Sequence, residues 1–198
     1  RALQISNSQL TGQTWGDKTV NISGITDVTQ AGGGVTSTTG GFTGESGYLL
    51  RPNGSYYTSS EYAQIKEGYK NWQNYPNTAL ADTAGWKNTK ALITEQGSDY
   101  QGGATTTFRN DDSVNQGYTD WFIPAEGQLA YIYLNMTAIN TLLAKCSNPA
   151  GATLMQNFYW SSSEHSASQG RTVGFYEGYV TYTNKKTKRY VRFLRDLN

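Results

Sequence analysis

The sequence predicts a folded domain that mixes helices and strands, and three observations carry that expectation. Helix-type spacing of apolar residues is confined to the middle of the chain, near residues 83–95 and 124–146. The C-terminal third switches to period two and is rich in Tyr, Thr and Val, residues that favour strands. Aromatics make up 13% of the chain and charged residues only 16%, with a formal net charge of +1, which excludes a disordered, self-repelling chain.

A length of 198 residues fits one domain, or one domain plus a smaller extension, and suffices for a sizeable core. Fibres and short disulfide scaffolds are excluded, because the single Cys146 has no second cysteine for a disulfide or a C-x-x-C site. No apolar run reaches the roughly 18 residues of a membrane span, so direct membrane insertion is not expected. No signal segment is visible, and a chain that begins at Arg1 suggests that a leader, an anchor or another domain precedes it.

Residues 1–44 read as a β-rich N-terminal extension or linker, with short strands at Val20–Ile22 and Ile25–Val28 broken by Gly32–Gly34 and Gly40–Gly41. Residues 45–198 form the main domain. Gly47–Leu50 and Ser55–Thr58, joined by Arg51-Pro52-Asn53-Gly54, read as a hairpin. Ser59-Ser60-Glu61 with Ile65 and Tyr69 offers a helix start, and Asp82-Thr83 opening onto Trp86, Leu92 and Ile93 offers a better one. The Gly, Thr, Asn and Asp content of residues 97–117 reads as a loop, with Gly102-Gly103 as a turn.

Pro124 and Glu126 suit a helix N-terminus that continues through Leu129, Ile132 and Tyr133. A second short helix carries Ala138, Leu142 and Leu143 up to Cys146. Phe158-Tyr159-Trp160 is a buried-strand candidate that ends in Ser161-Ser162-Ser163-Glu164, and Tyr190–Arg195 is the final strand. Placing a two-residue loop at Glu177-Gly178 pairs Tyr176 with Tyr179, Phe175 with Val180, Gly174 with Thr181 and Val173 with Tyr182. Val173, Phe175, Val180 and Tyr182 then share a core face. Thr172, Gly174, Tyr176, Tyr179, Thr181 and Thr183 share the opposite face, expected to meet solvent as a Tyr/Thr/Gly platform.

Catalytic constellations are weak. A single histidine, His165, excludes a three-His zinc centre, and although it neighbours Ser161, Ser162 and Ser163, a triad needs an orienting carboxylate that adjacent Glu164 does not supply. Asp120, Glu126, Glu164 and Glu177 are carboxylates of the type used in glycoside hydrolysis, but sequence cannot bring two of them to the required separation. The glycine stretches lack the Lys-Ser/Thr of a phosphate loop, and Asn110-Asp111-Asp112 matches a calcium loop in composition only. No catalytic residue, cofactor or metal is therefore expected.

Residues 185–198 hold six Lys or Arg against Asp196, a net of +5; a charged turn and strand end is preferred to a nucleic-acid patch, and no nucleic-acid partner is expected. Trp121 and Trp160 read as core, while Trp15, Trp72 and Trp86 are less committed. Glu164 with Arg192 or Arg195 reads as a buried ion pair. The Tyr/Ser/Thr/Gly/Asn surface between His165 and Arg189 has the composition of a paratope, large amphipathic contacts plus adaptable hydrogen bonding, and equally that of a wet β-face.

Asp120-Trp121-Phe122-Ile123-Pro124, then Tyr159-Trp160-Ser161-Ser162-Ser163-Glu164, then Phe175, Gly178, Val180, Lys185 and Tyr190-Val191-Arg192-Phe193-Leu194-Arg195 occur in a meaningful order. The chain from about Gly47 or Asp82 onward resembles the bacterial and phage C-type-lectin-like domains, specifically the variable proteins of diversity-generating retroelements. That resemblance implies an α+β, C-type-lectin-like fold in which two helices flank short antiparallel sheets and the C-terminal strands display the binding surface. It implies ligand-binding positions at His165, Ser166, Arg171, Thr172, Gly174, Tyr176, Tyr179, Thr181, Tyr182, Thr183, Asn184 and Thr187. Gln169, Glu177, Lys186 and Lys188 depart from the residues that diversified Asn codons produce.

The expected function is a non-enzymatic recognition domain on a bacterial surface or phage particle, a diversified variable protein that binds a protein or glycan receptor through its C-terminal Tyr/Ser/Thr-rich face. The alternative is a fixed-specificity adhesin or a pilus or tail subunit, in which the N-terminal segment pairs with a neighbour. A glycan-cleaving enzyme dependent on Glu164 stands third.

Overall fold

Alternation along the C-terminal strand organises the molecule. In β7 (Arg189–Asp196) Val191 and Phe193 enter one apolar cluster and Leu194 another, as successive side chains of a pleated strand must. In a computed structural model, which describes residues 2–17, 19–29, 42–43, 46–49, 79–146, 153–154, 157–176 and 178–197, this strand lies inside a sheet covered on both sides. The other strands are β1 (Leu3–Gln13), β2 (Phe42–Thr43), β3 (Ser46–Tyr48), β4 (Phe158–Ser166), β5 (Gln169–Gly174) and β6 (Tyr179–Asn184). The helices are α1 (Gly85–Gln96), α2 (Tyr100–Asn110), α3 (Glu126–Leu134) and α4 (Met136–Leu143).

The fold is α+β. Seven strands form one sheet in the order β1-β7-β4-β5-β6-β3-β2. Its pairs are antiparallel except β4 with β7, which run parallel at Tyr159 and Tyr190. The expectation of two helices and short antiparallel sheets is thereby corrected among the described residues to four α-helices and a mixed sheet. One core cluster sets Leu129, Ala130, Ile132 and Tyr133 of α3 and Leu143 of α4 against Tyr159, Val173, Phe175, Val180 and Leu194. The other sets Leu92 of α1 and Phe108 of α2 against Trp121, Ile123, Trp160, Val191 and Phe193.

The expected helices at 83–95 and after Pro124 are α1 and α3, although Pro124 lies outside α3 and Gln128 Oε1 instead accepts from Ala125 N at 3.0 Å. Residues 97–117 are not a loop throughout, because α2 occupies much of them. Its buried side is Gln101, Gly102, Gly103, Ala104, Thr105 and Phe108, too small and polar to give an apolar period. Gly102-Gly103 is therefore helical rather than a turn. A Cβ on Gly102 would lie 2.8 Å from the Leu92 carbonyl oxygen, so the glycine permits α2 to cross close to α1. Packing has overridden poor helix propensity.

Val20–Ile22 and Ile25–Val28 are not strands; they form irregular chain whose Ile22 and Ile25 cap the second cluster. The N-terminal strand is β1, an edge strand on β7, and the chain after it buries Trp15 completely. Strand β4 runs through the expected Ser161-Ser162-Ser163-Glu164 end and on to Ser166, with a register shift between Trp160 and Glu164. The expected turn at 51–54, the strand at 55–58, the helix start at 59–69, Trp72 and the glycine runs at 32–34 and 40–41 lie outside the described residues.

Candidate functional site

The β5–β6 turn positions the candidate surface. Gly174 pairs with Tyr179, Val173 with Val180, Thr172 with Thr181, Arg171 with Tyr182 and Gly170 with Thr183. The connection is thus four residues, 175–178, and the expected two-residue register is wrong by two. A slip of two leaves every side chain on its expected face, so the division into faces survives. Gly178 has φ +69°, donates its N–H to the Gly174 carbonyl at 2.7 Å, and sits so near Tyr133 that a Cβ would lie 2.5 Å from that ring. Phe175 is buried against Tyr133 and Tyr159, with ring centroids at 5.4 and 4.6 Å. The turn is therefore anchored on α3.

Tyr176, next in the chain, is 44% exposed and meets Phe158 edge-on at 5.3 Å. The Arg189 guanidinium lies 4.8 Å over the Phe158 ring. Together with half-buried Tyr179 these side chains make a shelf at the tip of the hairpin. Thr181 shares a 2.9 Å hydroxyl hydrogen bond with Ser46, and Thr183 meets Thr187 at 3.4 Å. Asn184 is exposed and accepts from Lys186 N at 2.9 Å, while Ser166 Oγ donates to Gln169 Oε1 at 3.4 Å in the β4–β5 turn.

Other expected site residues are interior. Thr172 is fully buried beside Trp160 and donates to the Tyr159 carbonyl at 2.8 Å, because this side of the sheet carries the second core cluster at its β4 end. Gly174 is also buried, and a Cβ there would lie 2.8 Å from the Phe158 ring. The expected solvent platform is corrected accordingly: only its Tyr176, Tyr179, Thr181 and Thr183 end opens outward. Phe158 and Arg189 belong to the shelf although neither was expected there; the sequence marks Phe158 as core and Arg189 as part of a charge run.

His165, Arg171 and Tyr182 lie on the opposite side, where Arg171 and Tyr182 follow Val173 and Val180 along the pleat. The His165 and Tyr182 rings stack at 3.9 Å, and the Arg171 guanidinium lies 5.9 Å from the Tyr182 ring. Arg171 Nε donates to Glu126 Oε2 at 2.5 Å, both side chains fully buried. Burial pushes the Glu126 carboxyl up to about 7, with Arg171 pulling the other way. Ser163 Oγ accepts from Glu126 N at 2.9 Å and donates to Asp82 at 2.6 Å, and Ser161 Oγ donates to the Arg171 carbonyl at 3.0 Å. These serines tie β4 to α3 and β5.

Glu164 pairs with Lys185, not with Arg192 or Arg195 as expected; Arg195 pairs instead with Asp120 at 2.9 Å. Burial raises the Glu164 pKa, opposed by the hydrogen bond from Lys185. The C-terminal cations are thereby dispersed, since Lys185 and Arg192 are buried. Among the described residues no group of three or more His, Cys, Asp or Glu is arranged to hold a metal ion, and no helix is long and apolar enough to cross a membrane.

The chain is similar in structure to a fimbrial protein from Bacteroides ovatus, with a TM-score of 0.55 and 17% identity over 99% of this chain. It spans 36% of that protein's length. At this identity the likeness is one of fold. No family model and no curated protein matches the chain.

Proposed function

We propose that the chain is a non-enzymatic recognition module of a cell-surface fibre, an adhesin of fixed specificity that meets a protein or glycan receptor through the Tyr176–Phe158–Arg189 shelf. The observation that carries this reading is the likeness of nearly the whole chain to about a third of a fimbrial protein, the proportion expected of one module in a longer fibre subunit. The shelf supports it locally. An exposed Tyr held on an anchored turn loses little entropy on binding, which favours a preformed contact. This reading places the chain outside the cell.

Fixed specificity is favoured over diversification because His165, Arg171, Thr172 and Gly174 are buried and tied into the sheet, where unrestricted replacement would break packing. The variable-protein reading, with its C-type-lectin-like fold, rests on the ordered motifs between Asp120 and Arg195 and on the composition of the outward positions Tyr176, Tyr179, Thr181, Thr183, Asn184 and Thr187. Sequencing independent copies of the gene from one population separates the two. Uniform copies support the adhesin, and substitutions concentrated at those positions support the variable protein.

Adhesion itself is tested with beads carrying the chain, applied to a glycan array and to cells. Saturable attachment that soluble chain competes away is expected. Absence of attachment, together with concentration-dependent self-association of the intact chain, would make the chain a purely structural subunit.

A further inference from the structure

The geometry points to a second recognition site, which shares no residue with the Tyr176 shelf: Trp86 of α1, Arg109 of α2 and Tyr118 form a surface that takes a carboxylate-bearing sugar. Trp86, in the first turn of α1, is 43% exposed and braced edge-on by Phe122 at 6.1 Å. The Arg109 guanidinium, from the last turn of α2, lies 5.4 Å over the Trp86 ring, and its Nε donates to the Trp121 carbonyl at 2.6 Å. That bond fixes the plane of the guanidinium. Among the described residues no acceptor meets its two terminal nitrogens, so an oriented fork stands beside an exposed indole.

The surface continues through Asp120, whose charge acts on Arg109 and whose Oδ1 accepts from Arg195 Nε at 2.9 Å. Arg195 in turn lies 3.6 Å over the ring of Tyr118, which is 42% exposed. Asp120 and Asp196 both act on Arg195, so the positive end of the site is the Arg109 fork, and an aromatic stands at each end. A carboxylate fits the Arg109 fork bidentately, the C–H face of a pyranose fits the indole, and hydroxyls of the next sugar fit the Asp120 carboxylate as acceptor. An acidic peptide fits less well, because its next carboxylate would meet Asp120 rather than a donor.

The test is calorimetric and NMR titration of the full chain with trigalacturonate, its neutral counterpart galactotriose, and triglutamate. Trigalacturonate should move the Trp86 indole N–H resonance and bind at least about tenfold more tightly than either alternative. Trp86→Ala, which removes the indole, and Arg109→Lys, which keeps the charge but loses the fork, should each weaken binding about tenfold or more. Tyr176→Ala should leave it unchanged, so the outcome is independent of the Tyr176 shelf. No displacement at about 10 mM, or binding that survives both variants, would overturn the assignment. Equal affinity for triglutamate would overturn it in favour of an acidic peptide.

Discussion

Gly174 carries the recognition shelf, since the rings of Phe158 and Tyr176 close over its bare Cα. Gly174→Ala inserts a methyl 2.8 Å from Phe158 and should cost about 1–3 kcal/mol in denaturant unfolding. Glu126 offers a test with a definite sign. Its carboxyl is raised from 4.5 to about 7, so between those values the native state keeps a proton that the unfolded chain has released. Its stabilisation is full below the lower value and is lost as pH rises through the upper one. The melting temperature should fall across that window, and Glu126→Gln should flatten part of the fall. An unchanged slope in the variant contradicts the assignment. At this scale the sequence made Trp121 and Trp160 legible as core, because apolar strand contexts leave large aromatics one place to go. Thr172 and His165 were not legible as interior, because polar β-branched and aromatic residues fit a wet face and a hydrogen-bonded core equally well.

The N-terminal segment shows how elements are joined. Lys185 donates to Glu164 and to the Val20 carbonyl at 2.7 Å, Glu164 accepts from Ile22 N at 3.1 Å, and Trp15 Nε1 donates to the Ser161 carbonyl at 2.7 Å. Gly170 leaves room for the Trp15 ring, where a Cβ would lie 2.7 Å away. Lys185→Met leaves Glu164 buried without its cation and should destabilise by about 3–5 kcal/mol. Adding Glu164→Gln should recover part of that loss, and a double variant no better than the single one contradicts the pairing. The sequence showed α1, α3 and α4 through their apolar spacing, but α2 packs through glycine and threonine and leaves no such trace. Likewise β1 has few apolar residues and owes its strand form to the β7 edge.

At the scale of the molecule, the two ends of the chain lie side by side, with Leu3 opposite Asp196 and Gln13 opposite Arg189. Removing residues 1–29 would uncover β7 and the second core cluster, and should convert a cooperative thermal transition into aggregation. The α+β class was readable from the order of strand-like and helix-like stretches; the joining of the strands into one mixed sheet was not, because the β4–β7 parallel pair depends on contacts remote in sequence. The reading as an adhesin turns on whether the hairpin tip binds or merely folds. The most direct measurement compares receptor binding and melting temperature for the unmodified chain and for Tyr176→Ala combined with Tyr179→Ala. Binding should be abolished with the melting temperature nearly unchanged. Binding that persists, or a large loss of stability, would show that these tyrosines do not form a recognition surface.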